Sequence, residues 1–516
     1  MNWHEEPHYN GGKGIYRVTD RRDPHYPEGA YWDLQNMVYD RESDHPECMR
    51  GGTRLGVTAM GGTVTGLFDY DNGTRLVATC TDGKIYEYVS GDWAVASGAR
   101  ATGNSTTSTT RWTGTMFYGA TSNLNLLILC NGVDAPVKYE SSNGATALGG
   151  SPPSTGNFPC AWQGRLWVCS GSTLYYSAAN NCEDWTTGGG GGNVVVYRGF
   201  DGSLSALAAF ANNLIIFKRA STYRIAPTAS FSDLSIIKNV SQEIGCVAHN
   251  TIVEEGGKYL TLLSERGVVS WTSSSISSGF SPHQIDRWVK PIIDTRNKLR
   301  TDIAFAVGNL DRREYWLHYP IGSATIPTEA LVANFAKDSL PPRWTRCNIP
   351  NITAGCVYND SNMDYFHYIA DNAGKVYKIH VASQITIDGQ SITGKIIEKF
   401  YTQGMPNYQK EYGYSFVDAE VDGSYAVTVT QQMYRPGLPQ ASANTSVISF
   451  SDENSEWGVG EWGVAYWGGT GNAGQRVRPA SVRRASGMGH IIQSSRWFKH
   501  IGTTIASVMK QNTIAA

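Results

Sequence analysis

Six basic side chains near the end of the chain are the residues best suited by type and spacing to do chemistry: Arg476, Arg478, Arg483, Arg484, Arg496 and Lys499. The final 55 residues contain no Asp or Glu, yet the whole chain carries 43 Lys+Arg against 45 Asp+Glu, for a net charge of −2. A local excess of that kind points to a polyanion or an acidic partner surface. In RVRPASVRR an extended backbone puts Arg476 and Arg478 on one face, as for any two residues two apart on a strand. Guanidinium groups so placed make sequence-blind contact with phosphate, which holds nucleic acid while letting it slide. A solvated strand face meeting acidic loops of the same protein explains the pattern equally well. The sequence weighs the two evenly.

A second cluster precedes them. EWGVGEWGVAYWGG places Trp457, Trp462 and Trp467 at five-residue intervals beside glycines, which reads as an irregular loop whose rings cover a surface. Sugar rings stack on such faces, so a carbohydrate platform is one reading. Packing against the same domain or a neighbouring subunit is the preferred one, because large rings are usually core or interface.

Other candidates dissolve on inspection. His4, His8, His25 and His45 lie near Glu5, Glu6, Asp23 and Asp44, but at no spacing a metal requires, so residues 1–50 read as a solvated or partner-bound arm with a lead-in strand. The nine cysteines form no CxxC pair and have no histidine at zinc spacing, so buried thiols of a protein made in a reducing cytoplasm are expected. No GxSxG, P-loop, HExxH or helix-opening GxGxxG occurs. The run Gly188 to Gly192 is followed by a strand, NVVVY, and not by Lys-Ser/Thr and a helix, so it is a blade connection and not a phosphate cradle. Asp82, Glu183, Asp184 and Glu265 fall in turns outside any S-x-D-x-G-x-x-W box. No catalytic residue, cofactor or metal is expected. The first residues, MNWHEEPHYNGGKG, lack the apolar core of a secretory leader, and no run of 18 apolar residues exists to span a bilayer.

The elements that must position these residues are strands. With 56 Gly and 11% aromatic residues, and no sustained 3.6-residue apolar period, the chain is expected to be all-β. One phrase recurs: a turn, then a strand bearing an aromatic ring, at Tyr86, Tyr139, Tyr175, Tyr223, Trp271 and Tyr377. The spacings are 53, 36, 48, 48 and 106 residues, the last wide enough for one more unit around REYWLHYP and PPRWT. A mean near 48 residues is the period of propeller blades, about 40 to 50. Short four-stranded sheets have two faces to bury, and radial packing buries both. We therefore expect a β-propeller of about seven blades over residues 51–385, the alternative being a series of β-sandwiches. GSYAVTVTQQM then alternates strictly, so residues 386–516 are expected to form a separate, sandwich-like β domain.

The order of motifs resembles a known family. QNMVYDRESDHPECMRGGTRLG is similar to the x-N-M/L-x-x-D … R-x-G-T/G phrase near the start of virion proteins of short-tailed bacteriophages. AWQGRLWVCSGSTLYYSAANNCEDW resembles their blades, and WGVGEWGVAYW, RVRPASVRR and RWFKHIGTTI resemble their closing segments. The family is the tail nozzle or tail-hub proteins, also called packaged-DNA stabilisation proteins. Two departures stand out: Arg-Gly-Gly replaces the usual Arg-Pro/x-Gly, and residues 1–30 have no counterpart. The resemblance implies a homohexameric ring below the portal and its adaptor protein, located in the virion tail after synthesis in the host cytoplasm. Such a ring conducts and retains double-stranded DNA without sequence preference, anchors tail fibres or spikes, and catalyses nothing. The reading from a different class is a host-surface carbohydrate-binding or carbohydrate-cleaving propeller.

Overall fold

The computed structural model describes the chain apart from residues 1–3, 9–11, 24, 41–42, 120–124, 198–201, 228–236, 279–281, 336–340, 350, 360–364, 383, 406–407, 423–424, 436–440, 451–471, 478–483 and 510–516, with backbone alone at 4, 277–278, 441–444, 448–450, 472–477 and 509. It is a β protein of two parts, a propeller and a sandwich, that share one sheet.

Seven antiparallel units of four strands follow one another around an axis. Their first strands are Val64–Tyr70, Thr113–Tyr118, Asn157–Trp162, Leu204–Phe210, Val253–Glu255, Phe305–Asn309 and Ile352–Asn359, and these line the centre. The turns obey local chemistry. Gln163 and Gly164 both take positive φ (51° and 65°), as a two-residue type I′ turn demands between 157–162 and Arg165–Ser170. Packing between neighbouring blades excludes water: Trp167, Leu174, Leu214 and Ile216 have no exposure between blades three and four. Each such side chain contributes roughly 1.5–3 kcal/mol on burial.

The recurring aromatic falls on the third strand of its blade in every case. Tyr86, Tyr139, Tyr223, Trp271 and Tyr377 are buried there; in blade three the packed ring is Tyr176 and its neighbour Tyr175 is half-buried. Blade six is the unit inside the doubled spacing, and its third strand, Glu329–Asn334, reads EALVAN, with no aromatic residue. The ring closes through Gly52–Leu55, which becomes the fourth strand of blade seven by pairing with Val376–Ile379. At Gly51 a Cβ would lie 2.4 Å from the Thr386 carbonyl oxygen, so only glycine lets the two backbones pass. The Gly188 to Gly192 run links the third and fourth strands of blade three, with Thr186 capping the short helical turn Thr187–Gly189.

Residues 1–50 are not an arm. His4–His8 pairs with Phe498–Met509, Met37–Tyr39 and Pro46–Cys48 extend the same sheet, and Asp33–Gln35 bridges blade six to Gly394–Ile397. Polar composition hid this, because the buried groups are few and specific: Ile15 and Tyr31 have no exposure, and His8 stacks on Tyr401 with ring centroids 3.9 Å apart. Asn36 ties the junction, its side chain donating to the Thr393 carbonyl at 2.9 Å and accepting from the Asn348 amide at 2.7 Å.

The C-terminal part is sandwich-like but not separate. One sheet holds 37–39, 46–48, 498–509, Lys410–Val421 and Asn472–Val477; the other runs without a break from blade six through 33–35, 394–397, Gly487–Ser494 and Tyr425–Tyr434 to Ala441–Phe450. Val427 and Val429 face inward with no exposure, while Thr428 and Thr430 lie on the other face, as their alternation requires. They meet Val417, Ala419 and Val421 of the opposite sheet in one core that extends into blades five and six. The parallel contact Gln35 to Arg346 joins the two parts, and a carboxylate inside it explains the junction's polarity: Asp33 accepts from Arg346 Nε at 2.8 Å and Nη2 at 2.6 Å.

Candidate functional site at the edge of the C-terminal sandwich

The strand 410–421 organises the basic residues. Its pattern turns Glu411, Phe416, Asp418 and Glu420 outward and Tyr412, Ser415, Val417, Ala419 and Val421 inward. On one side it pairs with 498–509, on the other with 472–477 and then Arg484–Ala485, which pair with nothing else among the described residues. Arg476 is in register with Phe416, and Arg484 with Glu411. Arg484 therefore occupies an outward position of the strand, since directly opposed residues share a face. Arg484 is exposed, and its carbonyl accepts from Arg435 Nε at 2.7 Å. Arg435 follows a strand of the facing sheet, so no sequence window could have grouped it with Arg484.

The other members scatter. Arg496 is exposed in the turn between 487–494 and 498–509, beside the Phe498–Val421 pair. Ten residues of strand therefore separate its end from the Arg484 end, about 33 Å at ~3.3 Å per residue. Lys499 faces Glu420 with Nζ 3.6 Å from the carboxylate, and is also in register with Glu47, so its charge is met within the protein. Arg478, Arg483, Trp457, Trp462 and Trp467 lie outside the described residues. The acid-free tail is thus matched by an acidic neighbour, KEYGYSFVDAEV; Arg484, in register with Glu411, and Arg496 are exposed and make no ion pair among the described residues.

Behind this sheet lies a sealed polar cluster of which composition showed no sign. Glu398 Oε2 meets His490 Nδ1 at 2.7 Å, His490 Nε2 meets Ser415 Oγ at 2.9 Å, and Gln431 Nε2 donates to Ser415 Oγ at 2.9 Å. Glu398 Oε1 accepts from the Thr503 hydroxyl at 2.7 Å; Thr503 also meets His500 at 3.2 Å, and His500 meets Tyr31 at 3.1 Å. Burial raises the Glu398 carboxyl, but His490, His500 and Thr503 together bring it down to about 2. His500 is lowered to about 4 by burial, against the pull of Glu398. Ser, His and Glu in this order have the connectivity of a nucleophile relay. All three side chains are fully buried, so their role is to clamp strands from both sheets. At the outer end Arg50 pairs with Asp422 and lies 4.3 Å over the Trp497 ring.

The nine cysteines are all free, and eight are buried. Burial raises their thiols, Cys246 to about 12 and Cys182 to about 11. Among the described residues no group of three or more His, Cys, Asp or Glu is arranged to hold a metal ion, and no helix is long and apolar enough to cross a membrane.

No protein-family model and no curated protein matches the sequence. Solved structures that resemble it include the extracellular domain of a one-component system from B. thetaiotaomicron, at 9% identity and TM-score 0.42, covering 78% of this chain and 46% of that one. PorZ, a surface component of the type-IX secretion system of Porphyromonas gingivalis, matches at 11% identity and TM-score 0.37, with 70% and 44% covered. The WD40 repeats of RRP9 match at 10% identity and TM-score 0.43, over 64% of this chain and 99% of that one. This chain spans under half the length of the first two.

Proposed function

We propose that this chain is a structural component of a phage tail, of the nozzle or tail-hub kind, which assembles with copies of itself into a ring, retains and conducts double-stranded DNA, and anchors fibres or spikes. The ordered set of motifs supports the reading, and each described member has an architectural role, with QNM at the junction, Arg-Gly-Gly at the ring closure and Arg-Leu-Trp inside blade three. The observation that carries it is the pairing of 472–477 and 484–485 on one side alone among the described residues, with Arg476 in register with Phe416 and Arg484 with Glu411. A single such edge attracts DNA weakly; repeated around a ring it makes a band of positive charge with no base contacts, suited to holding a genome that must later move.

Electron microscopy and sedimentation of the purified protein, alone and with its adaptor, test this reading. A ring about six subunits around is expected. A protein that stays strictly monomeric with the adaptor present overturns it.

A further inference from the structure

An arginine stands at the axis of the propeller, held by two backbone carbonyls and, at longer range, by the Asp302 carboxylate. The first strands enclose a cavity of about 320 Å³ there, lined by the side chains of Phe68, Leu207 and Phe305 and by the backbone of Gly66, Gly114 and Gly355. It adjoins a hollow of about 380 Å³ where those strands begin, and the two share Arg111, His249 and Asn250. The inner volume lies at the small end of ligand pockets, which run from ~300 to ~1,000 Å³.

Arg111 is the single formal charge on the inner cavity's wall, since burial takes His249 down to about 4 and keeps it neutral. It stands two residues ahead of the strand 113–118. Its Nη1 donates to the Thr353 carbonyl at 3.2 Å and the Val64 carbonyl at 3.5 Å. Nη2 has no partner among the described residues, and Nε is buried without one. A secluded guanidinium is normally met by a carboxylate. Arg346 is, through Nε and Nη2 on Asp33. Arg111 makes no ion pair among the described residues; the carboxylate at the mouth, Asp302, is itself 3.4 Å from Arg300.

The backbone beside this point is strained. A bulge between Asn157 and Cys160 inserts Phe158 at φ 54°, a region costly for a bulky side chain, and its ring lies 5.0 Å from that of His249. Strain of this type persists where the surroundings enforce it, and it collects at ligand sites.

We propose that the propeller axis binds a small organic monocarboxylate, its oxygen accepting from Arg111 and its apolar body resting on Leu207, Ile252 and Phe305. A single cation on the wall selects a single negative charge. The site is independent of the ring assembly proposed above, because it lies within one propeller and uses none of the C-terminal residues.

Benzoate is the probe, with benzyl alcohol as its uncharged analogue and inorganic phosphate as a competing anion, each titrated into the full-length protein by calorimetry and ligand-observed NMR. Saturable benzoate binding is expected, weakened at least tenfold by Arg111→Gln and by the cavity-filling Leu207→Trp, and unchanged by Arg300→Gln. Two substitutions of unlike chemistry keep the test usable if one of them fails to fold, and circular dichroism reports which do. The proposal is overturned by equal binding of benzoate and benzyl alcohol, by phosphate binding in place of benzoate, by undiminished binding in folded Arg111→Gln, or by no binding at all.

Discussion

Glu398 Oε2 lies 2.7 Å from His490 Nδ1 inside the sandwich, and neither side chain has any exposure. The pair belongs to five segments at once, because Ser415, Gln431, Thr503 and His500 complete its hydrogen bonds from other strands. Buried polar groups interlocked across strands fix register as well as stability, since a one-residue slip would break their hydrogen bonds together. Their protonation links the sandwich to pH.

Acid should destabilise the fold through these groups. His500 is held near 4 against an ordinary 6.5, and Glu398 near 2 against 4.5, so both are depressed in the folded state. Their contributions are whole above the unfolded values and vanish as pH falls, from about 6.5 to about 4 for His500 and from about 4.5 to about 2 for Glu398. His318, lowered to about 3 by burial, acts with the same sign. Thermal unfolding followed from pH 8 to pH 4 is expected to show a steadily falling midpoint, with on the order of 2–3 kcal/mol assignable to His500. His500→Gln should flatten the curve; an unchanged slope would refute the assignment.

The junction between propeller and sandwich should weaken if Arg346 is removed. Arg346→Met removes two hydrogen bonds from the Asp33 carboxylate, which is 3% exposed and keeps only Arg17, at 3.2 Å, as an ion-pair partner. Loss of hydrogen bonds to a buried charge that keeps one partner costs about 1.5–3 kcal/mol. Denaturant unfolding measures the loss, and limited proteolysis between residues 33 and 50 locates it.

Closure of the propeller depends on Gly51 and not on glycines in general. Gly51→Ala drives a Cβ against the Thr386 backbone, and overpacking of a fixed backbone costs typically about 1–3 kcal/mol or more. Gly91, whose added Cβ would meet nothing within 4 Å, has only its φ of 87° to lose and is expected to cost about 1–2 kcal/mol. Comparing the two melting curves separates clash from conformational strain.

Lys138→Met should change little. Lys138 bridges blades two and three through both oxygens of Glu183 at 2.9 Å, but the two side chains are 21% and 35% exposed, and half-solvated pairs contribute at most about 1 kcal/mol. A larger loss in chemical unfolding would mean the blade interface relies on this pair more than its solvation allows.

If the edge strand meets DNA, Arg484→Gln should lower the slope of log affinity against log salt by about one for each phosphate it no longer neutralises, equally for any DNA sequence. Lys499→Gln should leave that slope unchanged, because Lys499 is already engaged by Glu420. Equal effects of the two variants would show that register does not set the DNA contact.

Local features could be read from the order of residues alone. Spacing of aromatic strands is a property of repeated units, so the blade period, the unit hidden in the doubled interval and the alternating strand at Tyr425 to Met433 could be read directly. Turn residues announced hairpins because positive φ is a demand of the residue and its neighbours alone. Features that depend on residues distant in sequence emerge with the folded chain. Strand 52–55 closes blade seven from more than 300 residues away, and the histidine-rich opening segment enters the second domain's sheets; neither carries a periodic signal, since each strand is three to five residues long and its partners supply the burial. The basic residues show the limit most plainly. Their number was visible, but what each meets rests on register against 410–421, which sets Lys499 beside Glu420 and Arg484 beside Glu411, and puts Arg484 and Arg496 at opposite ends of the strand. Arg111, at the axis of seven blades, was one unremarked arginine until the ring enclosed it.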